Sequence, residues 1–115
     1  MLYSPYITKS IRLFSQSAQL RTAQLTLFTK DTCQLCTNAR TILEETLASE
    51  ELKGKEIDLK VIDIMDPANE KWFDVYCYDV PVLHVDRSNQ PKPVKFMHYF
   101  HHDKLLQEFL KEEIN

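Results

Sequence analysis

The chain has 115 residues, enough for a single domain of ordinary size. Hydrophobic residues make up 43% of it and charged residues 27%, which is typical of a globular protein. The net charge of −3 argues against nucleic-acid binding through bulk electrostatics, and no apolar run approaches the length of a membrane span. We therefore expect one folded domain with neither a nucleic-acid nor a membrane partner.

The first 24 residues differ in composition from the rest of the chain. They contain basic residues, serines and threonines, whereas the first acidic residue is Asp31. Ile7, Ile11 and Phe14 also recur with helical spacing. A basic, hydroxyl-rich, acid-free and amphipathic segment is typical of a mitochondrial transit peptide, and a disordered tail is the alternative. We predict such a segment over residues 1–24, a folded domain over residues 25–115, and a mitochondrial matrix location if the segment targets the protein, or a cytoplasmic one otherwise.

The next stretch carries the strongest functional motif. Residues 25–29 are a short apolar run that predicts a buried strand, and helical spacing of apolar residues predicts a helix over residues 33–49. A Cys-x-x-Cys pair, here Cys33 and Cys36, lies between the two. This is the arrangement of dithiol redox proteins, because the first sulfur lies beside unpaired N–H groups at the positive end of the helix dipole. Both features favour the thiolate, which is the form that attacks disulfides.

We therefore predict that Cys33 is the nucleophile and that Cys36 is the resolving thiol. A metal site is an alternative, because zinc knuckles also use Cys-x-x-Cys, and an inert pair is another. Zinc usually takes four ligands, and the further candidate ligands show no second paired motif. These candidates are Cys77, His98, His101 and His102. We predict no metal site.

The rest of the chain predicts an α/β domain. Asp66-Pro67 is a helix start, with Asp as the N-cap and Pro at the first helical position. Pro81 must lie at the start of its strand, because it offers no N–H to a ladder. The predicted elements are a loop over residues 50–56, a strand with a phase slip over 59–64, a helix over 67–76, a strand over 79–85, a strand over 94–97 and a helix over 102–113. The first strand, the first helix and the second strand then form a βαβ unit with the cysteine pair at a strand end, where parallel sheets gather their chemistry.

The order β-α-β-α-β-β-α and the segments FTKDTCQLC and DVPVLHVD resemble the thioredoxin fold, and more narrowly a divergent glutaredoxin-like protein. The resemblance covers residues 25 to about 114. It implies a four-stranded mixed sheet flanked by helices, in a thiol–disulfide oxidoreductase that uses Cys33 and Cys36 to reduce protein disulfides or glutathione mixed disulfides. It also implies glutathione as co-substrate, protein disulfides as partners, no bound cofactor and a monomer.

The resemblance assigns further site residues. Lys30 matches a lysine that lies three residues before the nucleophilic cysteine and carries charge near the thiolate and a glutathione carboxylate; a solvated loop cation is the alternative. Val80 would offer its backbone N–H and C=O to an extended peptide such as glutathione. Pro81 would follow a cis peptide bond. Asp103 would meet the γ-glutamyl amine of glutathione.

Two departures from the glutaredoxin pattern keep alternatives open. Gln34-Leu35 replaces the usual Pro-Tyr between the cysteines, and residues 99–103 replace a Gly-Gly turn at the glutathione site, so bulky side chains are expected to fill part of that pocket. One alternative is a binding module that holds a peptide at Val80-Pro81 with little turnover. Another is an iron–sulfur protein in which Cys33 and glutathione bridge a cluster between two subunits.

Two further residues have competing interpretations. Cys77 is either a packed side chain that behaves as a small hydrophobe or a third redox thiol. His84 lies within a predicted strand, and we expect a hydrogen-bonded core histidine rather than a catalytic base.

Overall fold

The computed structural model describes residues 21–111, with side chains from residue 23 onward. In this part of the chain, four strands and three α-helices follow one another in the order β-α-β-α-β-β-α. They are β1 Arg21–Thr29, α1 Gln34–Leu47, β2 Glu56–Asp63, α2 Glu70–Tyr76, β3 Val82–Asp86, β4 Val94–Met97 and α3 His102–Phe109. Short 3-10 turns cover Glu50–Leu52 and Pro67–Asn69. The predicted order of elements is confirmed.

The four strands form one mixed sheet in the order β2-β1-β3-β4. β1 lies in the middle, parallel to β2 and antiparallel to β3, and β4 is antiparallel to β3. Leu25 on β1 is paired with Leu59 on one side and with Val85 on the other. A strand in this position is covered on both faces, and residues 23–29 are accordingly all buried or half-buried.

The two faces of the sheet bury separate clusters. Leu25 and Leu27 of β1 point to the face covered by α1 and α3, where they join Leu43 and Phe109. Phe28 points to the opposite face, which α2 covers. Side chains alternate across a strand, so consecutive residues of β1 supply both clusters. Fully burying each of these apolar side chains contributes about 1.5–3 kcal/mol to stability.

The predicted phase slip in β2 corresponds to a change of face. Ile57 and Leu59 pack against the cluster shared with α1 and α3. Ile62 and Ile64 instead join the cluster beneath α2. Val61, between the two sets, is largely exposed. β2 therefore contributes apolar side chains to both layers, and Ile64 arrives on the α2 side directly beyond the end of the strand.

The ends of several elements differ from their predicted positions. β1 begins at Arg21, four residues earlier than predicted, because buried Ala23 extends the strand through polar neighbours. α2 begins at Glu70 rather than at residue 67, since Pro67–Asn69 is a 3-10 turn. Asp66 does cap this segment, as predicted, by accepting the Ala68 N–H at 2.9 Å.

Three further element boundaries also differ from their predicted positions. β2 begins at residue 56, three residues before its predicted start, whereas β3 begins at Val82, immediately after Pro81. α3 ends at Phe109, short of the predicted residue 113. Residues 1–20 and 112–115 lie outside the described residues, so the transit segment stays a prediction. Within residues 21–111, no helix is long and apolar enough to cross a membrane.

A buried ion pair fastens α3 to the end of β3. Arg87 follows β3 and donates from Nη1 to Glu108 Oε2 at 2.6 Å, and from Nη2 to the Glu108 carbonyl. The two side chains are only 4% and 8% exposed. Lys111 Nζ donates to the second Glu108 carboxylate oxygen at 3.0 Å. The carboxylate is therefore nearly buried and paired on both oxygens.

Replacing Glu108 should destabilise the fold strongly. Glu108→Ala leaves the Arg87 charge buried without its partner, a change that costs about 3–5 kcal/mol of unfolding free energy. Urea unfolding measures the loss. The matched control is Glu44→Ala, which breaks the exposed Arg40–Glu44 pair on α1 and should cost about 0.3–0.5 kcal/mol. Equal losses for the two variants would show that the buried pair has no special role.

Candidate active site

The cysteine pair lies where β1 passes into α1. β1 ends at Thr29, and Thr32 has a positive φ of 59°, which turns the chain toward the helix. Cys33 is the N-cap of α1, and its Sγ accepts the Cys36 N–H at 3.2 Å. The Cys33 sulfur is partly exposed and lies beside the first N–H groups of the helix. The sulfur therefore faces an N–H donor at the positive end of the helix dipole.

The second cysteine has a different environment. Cys36 is 3% exposed and packs with Phe28 and Val82 beneath α2. Burial raises the pKa of the Cys36 thiol, and a hydrogen bond to Cys33 raises it further, while contacts with the Thr29 side chain and the Lys30 backbone oppose the shift. Cys36 therefore keeps its proton while Cys33 is the accessible sulfur. Both cysteines are free thiols in this structure.

The cis peptide bond expected before Pro81 is present, and it joins Val80 to Pro81. Both residues are buried, and Val80 packs in the same cluster as Cys36, with Cys33 at its edge. The Pro81 carbonyl accepts the His98 N–H at 2.9 Å, and the Val80 N–H donates to the Tyr76 carbonyl at 3.2 Å. The structure thus brings Val80 to the cysteine pair, but its N–H is already engaged within the protein.

Lys30 lies beside the pair and points to the neighbouring loop. Its Nζ donates to the Cys77 carbonyl at 3.2 Å, which links the end of β1 to the end of α2. An ammonium has three donors, so this bond leaves two for other groups. Cys77 itself is partly buried and packs against the cluster that contains Cys36. This is the packed environment expected for a small hydrophobe.

The segment that replaces the Gly-Gly turn has a structural role. Phe100 is buried in the core between α1 and α3, whereas Tyr99 is 69% exposed. His102 Nδ1 lies 2.9 Å from Thr46 Oγ1. Thr46 is thirteen residues beyond Cys33, or about 20 Å along the helix axis at 1.5 Å per residue. Asp103, which was predicted to meet the γ-glutamyl amine of glutathione, follows His102 and is exposed in the first turn of α3, and this role stays a prediction.

Tyr76, His84 and Phe28 form a polar and aromatic cluster next to Cys36. Tyr76 Oη lies 2.6 Å from His84 Nε2, and the ring of Phe28 contacts both rings. Burial lowers the pKa of His84, the nearby Lys95 lowers it further, and Asp86 opposes these effects. His84 is thus the hydrogen-bonded histidine that we expected. The bond ties α2 to β3 immediately after the cis proline.

Sequence patterns missed two residues next to the pair. Thr29 contacts the Cys36 thiol through its side chain, although it looked like an ordinary strand end. Ile64 donates its N–H to the Thr29 carbonyl at 2.9 Å, which places the exit of β2 beside the cysteines. The parallel β1–β2 register could have indicated this second contact. In the described residues, no group of three or more His, Cys, Asp or Glu side chains is arranged to hold a metal ion.

Comparison with known proteins adds family evidence. Residues 24–114 match the model of the family described as "Glutaredoxin-like domain (DUF836)". The chain is also 28% identical over 97 residues to the Glutaredoxin-like protein YDR286C homolog of Dictyostelium discoideum. This alignment covers 82% of the chain and 84% of the relative.

Solved structures show the same fold. A structural-genomics target protein from X. campestris has 25% identity and a TM-score of 0.52, over 72% of this chain and 91% of the other. Thioredoxin-2 of the malaria parasite has 19% identity and a TM-score of 0.58, over 84% and 95% of the two chains. Chloroplastic thioredoxin z has 13% identity and a TM-score of 0.59, over 76% and 74%. The architecture is therefore that of thioredoxin.

The lowered pKa of His84 predicts a pH-dependent contribution to stability. The folded state disfavours the charged imidazole, whereas the unfolded chain takes up the proton near its ordinary pKa of 6.5. Stability should therefore fall as the pH drops below about 6.5 toward the folded pKa. Urea unfolding of wild type and His84→Gln from pH 8 to pH 5 measures this, and the wild type should lose its advantage over the variant in acid. A difference that does not change with pH would contradict the assignment, since the remaining histidines are common to both proteins.

Proposed function

The chain belongs to the glutaredoxin-like domain family, and from this premise we propose that it is a thiol–disulfide oxidoreductase in which Cys33 attacks and Cys36 resolves. One observation carries the proposal: Cys33 Sγ caps α1 and accepts the Cys36 N–H, while the Cys36 thiol beneath it is buried with a raised pKa. This asymmetry favours charge on the exposed sulfur and a proton on the buried one. This difference suits a pair in which Cys33 attacks the substrate disulfide first and Cys36 then resolves the mixed disulfide.

The proposed cycle transfers two electrons. The Cys33 thiolate attacks one sulfur of the substrate disulfide, so a Cys33–substrate bond forms, the substrate S–S bond breaks and the leaving thiolate takes up a proton. Cys36 then loses its proton and attacks Cys33 Sγ, which releases the second substrate thiolate. The substrate is reduced to two thiols, and the enzyme is left with a Cys33–Cys36 disulfide. Two molecules of a thiol reductant restore the dithiol and are themselves oxidised to a disulfide.

We propose glutathione as this reductant and glutathione mixed disulfides as one substrate class. Val80 and Lys30 support the proposal because both lie at the pair. No hydrogen bond to the Val80 carbonyl comes from the residues that the structure describes, so this oxygen can accept the N–H of an extended peptide. The two remaining donors of Lys30 can meet a carboxylate. If residues 1–24 are a transit peptide, the activity belongs in the mitochondrial matrix.

A binding module is the second candidate, and two exposed aromatic side chains favour it. Tyr78 is 93% exposed just before Val80-Pro81, and Tyr99 is exposed just after the strand that pairs with β3. His98, between Tyr99 and β4, is hydrogen-bonded to Pro81. Large exposed aromatic side chains beside a backbone acceptor are suited to holding a peptide. In this case binding would occur with little turnover.

Single cysteine substitutions separate the candidates. Cys33→Ser should abolish the glutathione-coupled reduction of a glutathionylated peptide, because Cys36, the other thiol of the pair, is buried. Cys36→Ser should keep measurable turnover, since glutathione itself can release the mixed disulfide. Steady-state rates measured beside the wild type and the Cys77→Ser control test both statements.

Each outcome has a definite meaning for the proposal. Full activity in Cys33→Ser would refute the assignment of the nucleophile. Folded, fully reduced wild type without turnover would reject glutathione chemistry and leave the binding module as the better account. Loss of activity in Cys77→Ser alone would move the redox role to the third cysteine.

A further inference from the structure

A groove lies beside the cysteine pair, at the junction of β2 and α2. Its volume is about 410 Å³. We call it the 64–73 groove after its lining residues, which are Ile64, Met65, Asp66, Pro67, Glu70 and Phe73. Ile64 connects it to the active site, because its N–H is bonded to Thr29 and its side chain packs in the same cluster as Cys36.

The walls of the groove are apolar and accessible. Met65 is 52% exposed and Phe73 is 37% exposed. Pro67 adds a rigid apolar surface between them. Removing large apolar side chains of this kind from water on binding a partner is favourable. An occupant with an extended hydrocarbon portion therefore fits the walls.

The rim of the groove is negative. Asp66 and Glu70 both line it, and no lysine, arginine or histidine does. One oxygen of Asp66 caps the Ala68 N–H. The Glu70 carboxylate is exposed in the first turn of α2 and makes no hydrogen bond or ion pair within residues 23–111. Two cations nearby have other contacts: Lys71, next to Glu70, has its Nζ 5.3 Å from the Trp72 ring centroid, and Lys30 donates to the Cys77 carbonyl.

An apolar wall with an acidic rim suits one kind of side chain. Lysine and arginine lay a hydrocarbon stem along apolar surface and keep a charged head at its edge. In the 64–73 groove the stem would cover Met65 and Phe73, and the head would reach Glu70. A carboxylate-bearing segment would meet repulsion at the same place. For substrates with the same disulfide, the acidic rim therefore favours a positively charged flanking residue over a negatively charged one.

We propose that the 64–73 groove selects protein disulfides whose reactive cysteine is flanked by lysine or arginine. The inference rests on the proposed thiol–disulfide exchange and names its substrate class. The protein disulfide and the thiol reductant then bind at different places. A basic protein segment occupies the groove in the first step, and the reductant enters later on the Val80 side. The selectivity belongs to the attack by Cys33 and should appear in the rate constant for the first half of the cycle.

The test compares three peptides that carry the same cysteine, capped as a mixed disulfide with 2-mercaptoethanol. The peptides differ only in the flanking residue, which is lysine, norleucine or glutamate; norleucine matches the lysine stem without the charge. An exposed ion pair predicts a kcat/KM for the lysine peptide about two- to fivefold above that for norleucine, with glutamate lowest. The ratio should shrink as the ionic strength rises, because salt screens exposed charges.

Two variants assign the effect to Glu70. Glu70→Gln should bring the lysine and norleucine peptides to similar rates, and Glu70→Lys should favour the glutamate peptide. Glu45→Gln is the matched control, since Glu45 is also exposed but lies near the far end of α1. It should keep the wild-type preference for lysine.

A neutral disulfide separates failure of the inference from failure of the function. Bis(2-hydroxyethyl) disulfide carries no charge and does not need the groove, so the wild type should reduce it, and the control Glu45→Gln should reduce it at the wild-type rate. Equal rates for the three peptides, with this disulfide still reduced, would overturn the groove proposal alone. A lysine preference that survives Glu70→Gln would also overturn it. No reduction of any disulfide by folded protein would overturn both proposals.

Discussion

The central position of β1 is the constraint on which the rest of the structure depends. Because β2 and β3 hydrogen-bond to its two edges and helices cover both faces, the strand has one register and one direction. Its end at Thr29 therefore lies at a defined place between two neighbouring strand ends. Ile64 from β2 and the cis proline before β3 meet there. Cys33 is placed among them by the short turn that follows.

Chemical asymmetry of the cysteines follows from that placement. The turn through Thr32 puts the first sulfur at the N-terminal end of α1 and at the edge of the cluster, beside the first N–H groups of the helix. One helical turn later the second sulfur faces inward and is buried with Phe28. Burial opposes charge on Cys36, and its hydrogen bond to Cys33 acts in the same direction. The strand–helix junction therefore gives one partly exposed sulfur, at Cys33, and one buried thiol that keeps its proton, at Cys36. The proposed disulfide exchange depends on this difference.

Local patterns predicted the elements well because their physical causes are local. Apolar spacing along α1, the Asp66 cap and the obligatory position of Pro81 at a strand start all depend on neighbours in sequence. The start of β1 was missed because Arg21 resembles the polar tail, and its strand conformation depends on pairing with Glu56, far along the chain. Family resemblance, rather than periodicity, supplied the cis bond.

The site was predictable in its cysteines but not in its surroundings. Lys30 and Val80 lie next to the cysteine pair. No sequence pattern could show that Lys30 Nζ donates to the Cys77 carbonyl or that the Val80 N–H donates to the Tyr76 carbonyl. Asp103 was assigned by resemblance to the γ-glutamyl amine of glutathione, and this role stays a prediction, whereas the burial of Phe100 and the contact of His102 with Thr46 were not predicted. Such contacts depend on how distant elements pack, which composition and spacing do not encode.

The most direct test of the central claim is an equilibrium redox titration of the folded protein in glutathione buffers, with the Cys33–Cys36 disulfide quantified by mass spectrometry. Our account predicts a single two-electron transition of this pair, with a midpoint between about −200 and −270 mV, the range spanned by glutaredoxins and thioredoxin. Each tenfold change in the oxidised-to-reduced ratio should require about 30 mV. A pair that stays reduced across this range, or a transition that joins Cys77 to either cysteine instead, would contradict the account.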